Sequence, residues 1–324
     1  MEHDNYLHAT FFSNRFLELI LLPTEQCNFR CTYCYENFTG RLMTEEIVSS
    51  ILNLISQRAP ELSQLRLGWF GGEPLLAQSI VRRISAHAMS EAQKHDEILF
   101  ESGMSTNGYL LDPITAEKLI SCGVTEYQIS LDGPAVVHDK SRVTRHGKGT
   151  FSRIWSNLIA LRDSQLEFKV NLRVHMSQVS APYLEQFIEV VSEAFSGDER
   201  FRLFLKTIEQ LGGTKDQHIE VIHGDEKKEL EARLSDIAIK HDLKLLQTDD
   251  SYICYAARPT SFVIRHNGAI VKCTVELDEA DNNIGILLPE GKLQIDQAKV
   301  RPWLKGAVSL NKDMLACPRH TLIR

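Results

Sequence analysis

From Phe16 to about Leu205 the chain alternates short, β-prone apolar runs with longer stretches in which apolar positions recur every three to four residues. The first pattern suits buried strands and the second amphipathic helices, so their alternation predicts parallel strands joined by helices. Six units can be counted, with strands at 17–22, 65–70, 99–104, 127–131, 169–174 and 201–205. Helices are predicted at 44–58, 75–95, 113–122, 151–162 and 183–195, two of them with good start signals: Thr44 ahead of Glu46 and Ile47, and Asp112-Pro113. Repeated strand-helix units either close into a barrel or open into a doubly wound sheet, and periodicity does not choose between them. In both, ligands gather at the C-terminal strand ends. The unusual residues of this chain fall there: a cysteine loop after the first strand, Gly71-Gly72-Glu73-Pro74 after the second, Ser105-Thr106-Asn107-Gly108 after the third and Asp132-Gly133 after the fourth.

Past about residue 206 the pattern changes to a charged, Gly-containing stretch and a helix at 227–241. Two β-prone runs over 261–272 then flank Asn267-Gly268, which predicts a hairpin with a two-residue turn. Two units are therefore expected, a core over 1–210 and a smaller one over 211–324.

Composition narrows the classes. The 324 residues carry a formal net charge of -7, and Lys and Arg are scattered rather than gathered into a stripe, so nucleic acid is not an expected partner. No apolar run approaches a membrane span, and the polar N-terminus lacks the core of a signal peptide. A cytoplasmic protein with no membrane partner is expected. Seven cysteines, an odd number, then read as metal ligands or free thiols rather than disulfides.

Cys27, Cys31 and Cys34 lie in PTEQCNFRCTYCYE, a C-x3-C-x2-C spacing on one short loop. Three ligands are one fewer than a closed zinc or electron-transfer site takes. A 4Fe-4S cubane held by three cysteines keeps one iron open for an exogenous ligand. The competing readings are a zinc knuckle, for which His8 is the nearest fourth ligand, and a chance grouping of buried thiols. Cys122, near a helix end, reads as core.

This spacing, with the aromatic Tyr33 before the last cysteine and a six-unit barrel behind it, resembles the radical S-adenosylmethionine (radical SAM) superfamily over roughly residues 16 to 205. The resemblance implies an α/β fold, a partial (β/α)6 TIM-type barrel with a small C-terminal α+β extension carrying a β-hairpin. It implies a 4Fe-4S cluster on Cys27, Cys31 and Cys34, and S-adenosylmethionine chelating the open iron. One electron then yields a 5'-deoxyadenosyl radical that abstracts hydrogen, with a flavodoxin- or ferredoxin-type electron donor as a partner. Gly71, Gly72, Glu73 and Pro74 resemble the family's GGEP motif, which receives the methionine ammonium. Ser105, Thr106 and Asn107 resemble its strand-three end, Ser130 and Asp132 its ribose-side strand-four end, and Arg173 an arginine that reaches the methionine carboxylate, with His175 as an alternative inward-facing residue. A non-catalytic iron-sulfur or zinc protein is the reading from a different class.

Cys254, Gly268 and Cys273 fit C-x13-G-x4-C, which resembles the opening of the auxiliary-cluster (SPASM or twitch) region of peptide-modifying members; Cys317-Pro318-Arg319-His320 resembles the start of the next cysteine group. The chain then departs from the pattern at Arg324. A truncated chain, an auxiliary cluster completed by Cys317 with His320 or a substrate thiol, and a relic without metal remain open. The resemblance implies a peptide or protein substrate. Sulfatase-maturing relatives carry an acidic base just after the position of Cys273, where this chain has Thr274, with Glu276 and Asp278 in a different register. Maturation of a ribosomally synthesised peptide is therefore ranked above formylglycine formation. Fewer than 30 residues precede Cys27, so leader recognition is expected to use a separate protein or the C-terminal region.

Overall fold

A computed structural model describes residues 11, 13–38, 40–95, 98–211, 219–246 and 252–322. His8 lies outside the described residues, as does the side chain of His320. Strands β1 (Phe16–Leu21), β2 (Gln64–Trp69), β3 (Leu99–Thr106), β4 (Glu126–Leu131), β5 (Lys169–Met176) and β6 (Phe201–Thr207) occupy the six predicted places. They alternate with helices α1 (Glu45–Arg58), α2 (Gln78–Lys94), α3 (Pro113–Ile120), α4 (Ala135–Ser141), α5 (Phe151–Arg162) and α6 (Ala181–Phe195); α7 (Gly224–Lys240) follows β6. The chain is completed by β7 (Ser261–Ile264), β8 (Ala269–Val271), β9 (Asn283–Leu287) and β10 (Leu293–Ile295), then short helical turns.

One ten-stranded sheet runs β10-β9-β8-β7-β1-β2-β3-β4-β5-β6. β1 to β6 are parallel and lie in chain order without reversal. A doubly wound sheet must reverse its strand order at a switch point, so the strand order settles the choice in favour of a partial barrel. β7 pairs parallel to β1 through Glu18↔Ser261 to Leu21↔Ile264, and β7 to β10 continue antiparallel. The C-terminal strands thus extend the barrel sheet. All six residues of β1 are buried, because helices cover one face and the barrel interior the other. Leu17, Leu19, Leu65, Leu67, Val170 and Leu172 belong to one continuous core.

Local chemistry explains the boundaries. Thr44 and Asp112 cap α1 and α3, accepting from Ile47 N (3.4 Å) and Thr115 N (2.8 Å). The single helix expected over 75–95 is instead a 3-10 turn, Pro74–Ala77, followed by α2, since Glu73 caps Leu75 N and starts a separate turn. The hairpin also differs from expectation. Asn267 does not adopt positive φ, which a two-residue I′ turn requires of both central residues; only Gly268 does, at +81°. Arg265 N donates to Ala269 O and Gly268 N to Arg265 O, both at 2.9 Å, giving the three-residue loop.

Candidate functional site

The loop after β1 is held by backbone bonds to the last residue of α4 and the segment that follows it. Arg30 N donates to Val143 O (2.8 Å) and Thr32 N to Ser141 O (2.9 Å). Buried Phe29 forms a bridge with Thr144. Cys27, Cys31 and Cys34 face a cavity of about 560 Å3 at the C-terminal strand ends. Burial pushes the Cys27 and Cys34 thiols up to about 12, with Glu73 and the neighbouring cysteines adding to it for Cys27 and Glu36 for Cys34. Such thiols ionise when a metal supplies the missing positive charge. No three His, Cys, Asp or Glu side chains among the described residues converge on a single metal-ion position. A cubane distributes its three thiolates over three irons, so this donor set fits a cluster better than a mononuclear ion.

Gly71, Gly72, Ser105, Asn107, Ser130 and Arg173 line the same cavity, as does Tyr33. Glu73, Pro74 and Asp132 are not among its described lining. The wholly buried Glu73 carboxylate accepts from Leu75 N (3.0 Å), Thr106 Oγ1 (2.8 Å) and Asn107 N (2.7 Å). It therefore ties the turn after β2 to the end of β3. Burial raises its pKa against these three donors. Asn107 in turn donates to Asn28 Oδ1 (2.8 Å), joining β3 to the cysteine loop.

The Tyr33 hydroxyl donates to Asp132 Oδ1 (2.9 Å) and receives Arg142 Nη1 (2.7 Å), with His175 Nδ1 at 3.0 Å from both Tyr33 and Asp132. Ser141 Oγ also donates to Asp132, and His138 Nδ1 accepts from Asp132 N (3.3 Å). Burial would raise Asp132, but the His175 hydrogen bond and the Arg142 guanidinium outweigh it and hold the carboxyl well below its usual range. Arg142, Ser141 and His138 were not anticipated from the sequence. Arg142 and Arg173 each carry a buried Nε without a partner, and both line the cavity.

Burial lowers His138 and His175 from 6.5 to about 4. Their folded values lie below the unfolded one, so the unfolded chain binds more protons between these limits. The stability they contribute is present above pH 6.5 and lost as pH falls toward 4, by up to roughly 3 kcal/mol per histidine. Thermal unfolding of the metal-free protein should show a midpoint that drops steadily from pH 7 to 5. A midpoint that stays level would mean the two rings are not held neutral.

Cys254, Cys273 and Cys317 also line the cavity. Cys254 N donates to Leu315 O (2.9 Å), which draws the segment before Cys317 onto it. The Cys273 loop is clamped by Asn282, whose Oδ1 accepts from Lys272 N and Cys273 N (2.9 and 2.8 Å) and whose Nδ2 donates to Cys273 O (2.8 Å). Tyr35 is close to both Cys34 and Cys273. Thr274 faces the cavity and bonds Tyr255 Oη (2.8 Å), whereas exposed Asp278 pairs with Asn37 (2.6 Å). Cys122 is buried and donates to Leu119 O (3.0 Å).

A family model described as the radical SAM superfamily matches residues 21–191, more than half of the chain. The chain belongs to the radical SAM superfamily. It is an enzyme of the kind that uses a 4Fe-4S cluster and S-adenosylmethionine. This radical SAM chain is 33% identical over 153 residues to a GTP 3',8-cyclase of Mesorhizobium japonicum (46% of this chain, 43% of that one). It is 24% identical over 213 residues to a cysteine-type anaerobic sulfatase-maturating enzyme of Clostridium perfringens (59% of this chain, 56% of that one). The chain thus spans about half the length of these curated relatives. The fold is similar to native anSMEcpe with bound AdoMet and Kp18Cys peptide (TM-score 0.70, 16% identity, 90% of this chain and 84% of that one). It is also similar to Streptococcus suis SuiB bound to precursor peptide SuiA (TM-score 0.61, 17% identity, 86% and 63%). Among the described residues no helix is long and apolar enough to cross a membrane.

Proposed function

We propose that this radical SAM enzyme abstracts hydrogen from a peptide lying across the barrel mouth and matures a ribosomally synthesised peptide. The observation that carries the reading is that Cys27, Cys31 and Cys34 share one cavity with Cys254, Cys273 and Cys317. Peptide-bound anSMEcpe and SuiB, both similar in fold, support it. The sulfatase-maturating reading ranks second, because Thr274 rather than a carboxylate faces the cavity after Cys273.

In this proposal Cys27, Cys31 and Cys34 hold the cluster, and Ser105, Ser130, Asn107 and the Gly71-Gly72 backbone bind S-adenosylmethionine. When bound, the two supply the one-electron chemistry that generates the 5'-deoxyadenosyl radical. Arg142 and Arg173, which line the cavity, receive its carboxylate. Tyr33 is fixed by Asp132, His175 and Arg142 and keeps the cysteine loop in place. Glu73 positions the strand ends from behind rather than touching the cofactor. Residues 211–324 form an accessory unit whose three cysteines hold an auxiliary cluster, and a flavodoxin- or ferredoxin-type donor supplies the electron. Anaerobic reconstitution should give about eight irons per chain; about four would leave a single cubane.

Coexpression with peptides encoded beside the gene should remove two hydrogens, or leave the mass unchanged with deuterium uptake. The peptide reading fails if reduced enzyme releases 5'-deoxyadenosine freely while every such peptide stays unaltered in mass and deuterium content.

A further inference from the structure

A second pocket, of about 390 Å3, adjoins the cluster cavity, and Tyr35, Glu36, Val275 and Arg319 line both. Its described walls carry six carboxyl side chains, Glu25, Glu36, Glu276, Asp278, Glu279 and Asp281, against the two guanidinium groups of Arg265 and Arg319. Internal pairing engages both cations, although Arg319 Nε, in ion-pair contact with Glu276, makes no hydrogen bond. Arg265 bonds Glu25 through Nε (2.8 Å) and Nη2 (2.7 Å) and reaches Asp278 only at 3.4 Å, while Arg319 contacts Glu276. Among the described residues no cation pairs with Glu36, Glu279 or Asp281.

Glu36 is the second, independent observation. Its Oε2 is shut off from solvent and has no hydrogen-bond partner. Burying an acceptor without a donor is costly, and Glu36 is one of the residues that line both cavities. Trp303, Val275 and Leu277 add apolar surface beside it, which suits an aliphatic stem ending in a charged head. No three of these carboxyl groups converge as a cage for a metal ion.

We infer that this pocket is a subsite for a cationic side chain of the substrate, a lysine ammonium or arginine guanidinium, next to the position where hydrogen is removed. The inference rests on the peptide reading above and adds what the peptide must carry. Glu36 accepts from the cation, and the unpaired Asp281 and Glu279 at the rim attract it.

The test uses the reconstituted full-length protein with S-adenosylmethionine and three dye-labelled Gly/Ser peptides, identical except for a central Lys, Gln or Glu. Anisotropy should show the Lys peptide binding about tenfold tighter than the Gln peptide and the Glu peptide weakest. The preference should shrink with added salt, disappear in Glu36→Gln and weaken in Asp281→Asn, which leaves the cysteine loop untouched. N-acetyl-lysine methylamide should compete with the Lys peptide. Equal affinity for Lys and Gln overturns the cation subsite while the peptide reading stands. Binding of the lysine amide alone, with the same Glu36 dependence but with no peptide bound, overturns the peptide reading instead. No saturable binding of any probe overturns both.

Discussion

Replacing Cys31 with alanine is expected to abolish formation of 5'-deoxyadenosine, a loss of several orders of magnitude of the size seen when an essential group is removed. The physical reason is the ligand count. Three cysteines on this loop are the smallest set that holds a cubane and still exposes an iron, so two cannot retain it. Iron bound at the first site should fall with the activity, and the charge-transfer absorption of the cluster with it. The fold should survive. The loop is anchored by Arg30 N to Val143 O, Thr32 N to Ser141 O and the Phe29–Thr144 bridge, and none of these uses the Cys31 thiol. Unfolding of the metal-free variant should therefore match the metal-free wild type within about 1 kcal/mol. Cys122→Ala supplies the contrast, since that thiol lies in the core and should leave both iron and activity intact. Cys31→Ala protein that keeps its iron and still cleaves S-adenosylmethionine would show that another group completes the site.

What the sequence disclosed and what it withheld follow from the range of the interactions involved. The six strands were legible because burial on both faces or one writes a local pattern, as in the uninterrupted Phe16–Leu21 run. The strand order that separates a barrel from a doubly wound sheet was not, because it depends on which strands meet, here β1 to β6 side by side in chain order. The cysteine loop, the GGEP turn and the polar ends of β3 and β4 were legible as residue types at strand ends. Their division of labour was not. Glu73 spends its carboxylate on Leu75, Thr106 and Asn107, a role visible only once β3 lies beside the turn. The α4 helix was missed because Pro134 offers no side-chain cap and seven residues are too few to show a period. With it went Arg142, which donates to Tyr33, and the buried His138, which accepts from Asp132 N. The spacing leads to the expectation that Cys254 and Cys273 share the base of one ribbon, but only Cys273 follows the hairpin closely; Cys254 caps the 3-10 turn Tyr255–Ala257 ahead of β7, and Cys317 is drawn in through the Cys254–Leu315 backbone bond, a contact no local pattern encodes.

The GGEP glycines give the second large effect, and it is mechanical. A methyl group at Gly72 would lie 2.3 Å from Gln26 O, 2.5 Å from the carbon of that carbonyl and 2.8 Å from Glu25 O. These are backbone atoms, so no side-chain rotation relieves the overlap. The turn after β2 and the segment leading into Cys27 must separate, which strains the 2.9 Å bond from Glu73 N to Gln26 O. Gly72→Ala should destabilise the protein by about 2–3 kcal/mol, the upper part of the roughly 1–3 kcal/mol range for overpacking, because the overlapped atoms are backbone. At Gly71 the same change would bring a methyl group 2.3 Å from Thr24 O and oppose a φ of +114°, so its cost should be larger. Because Gln26 immediately precedes Cys27, displacement of this segment moves a cluster ligand, and iron loading should fall alongside stability even though no ligand is changed. Thermal unfolding and iron content of Gly72→Ala, measured together, decide the matter. A variant with wild-type midpoint and full iron would mean that the two loops are not in the close contact on which the whole strand-end site is built.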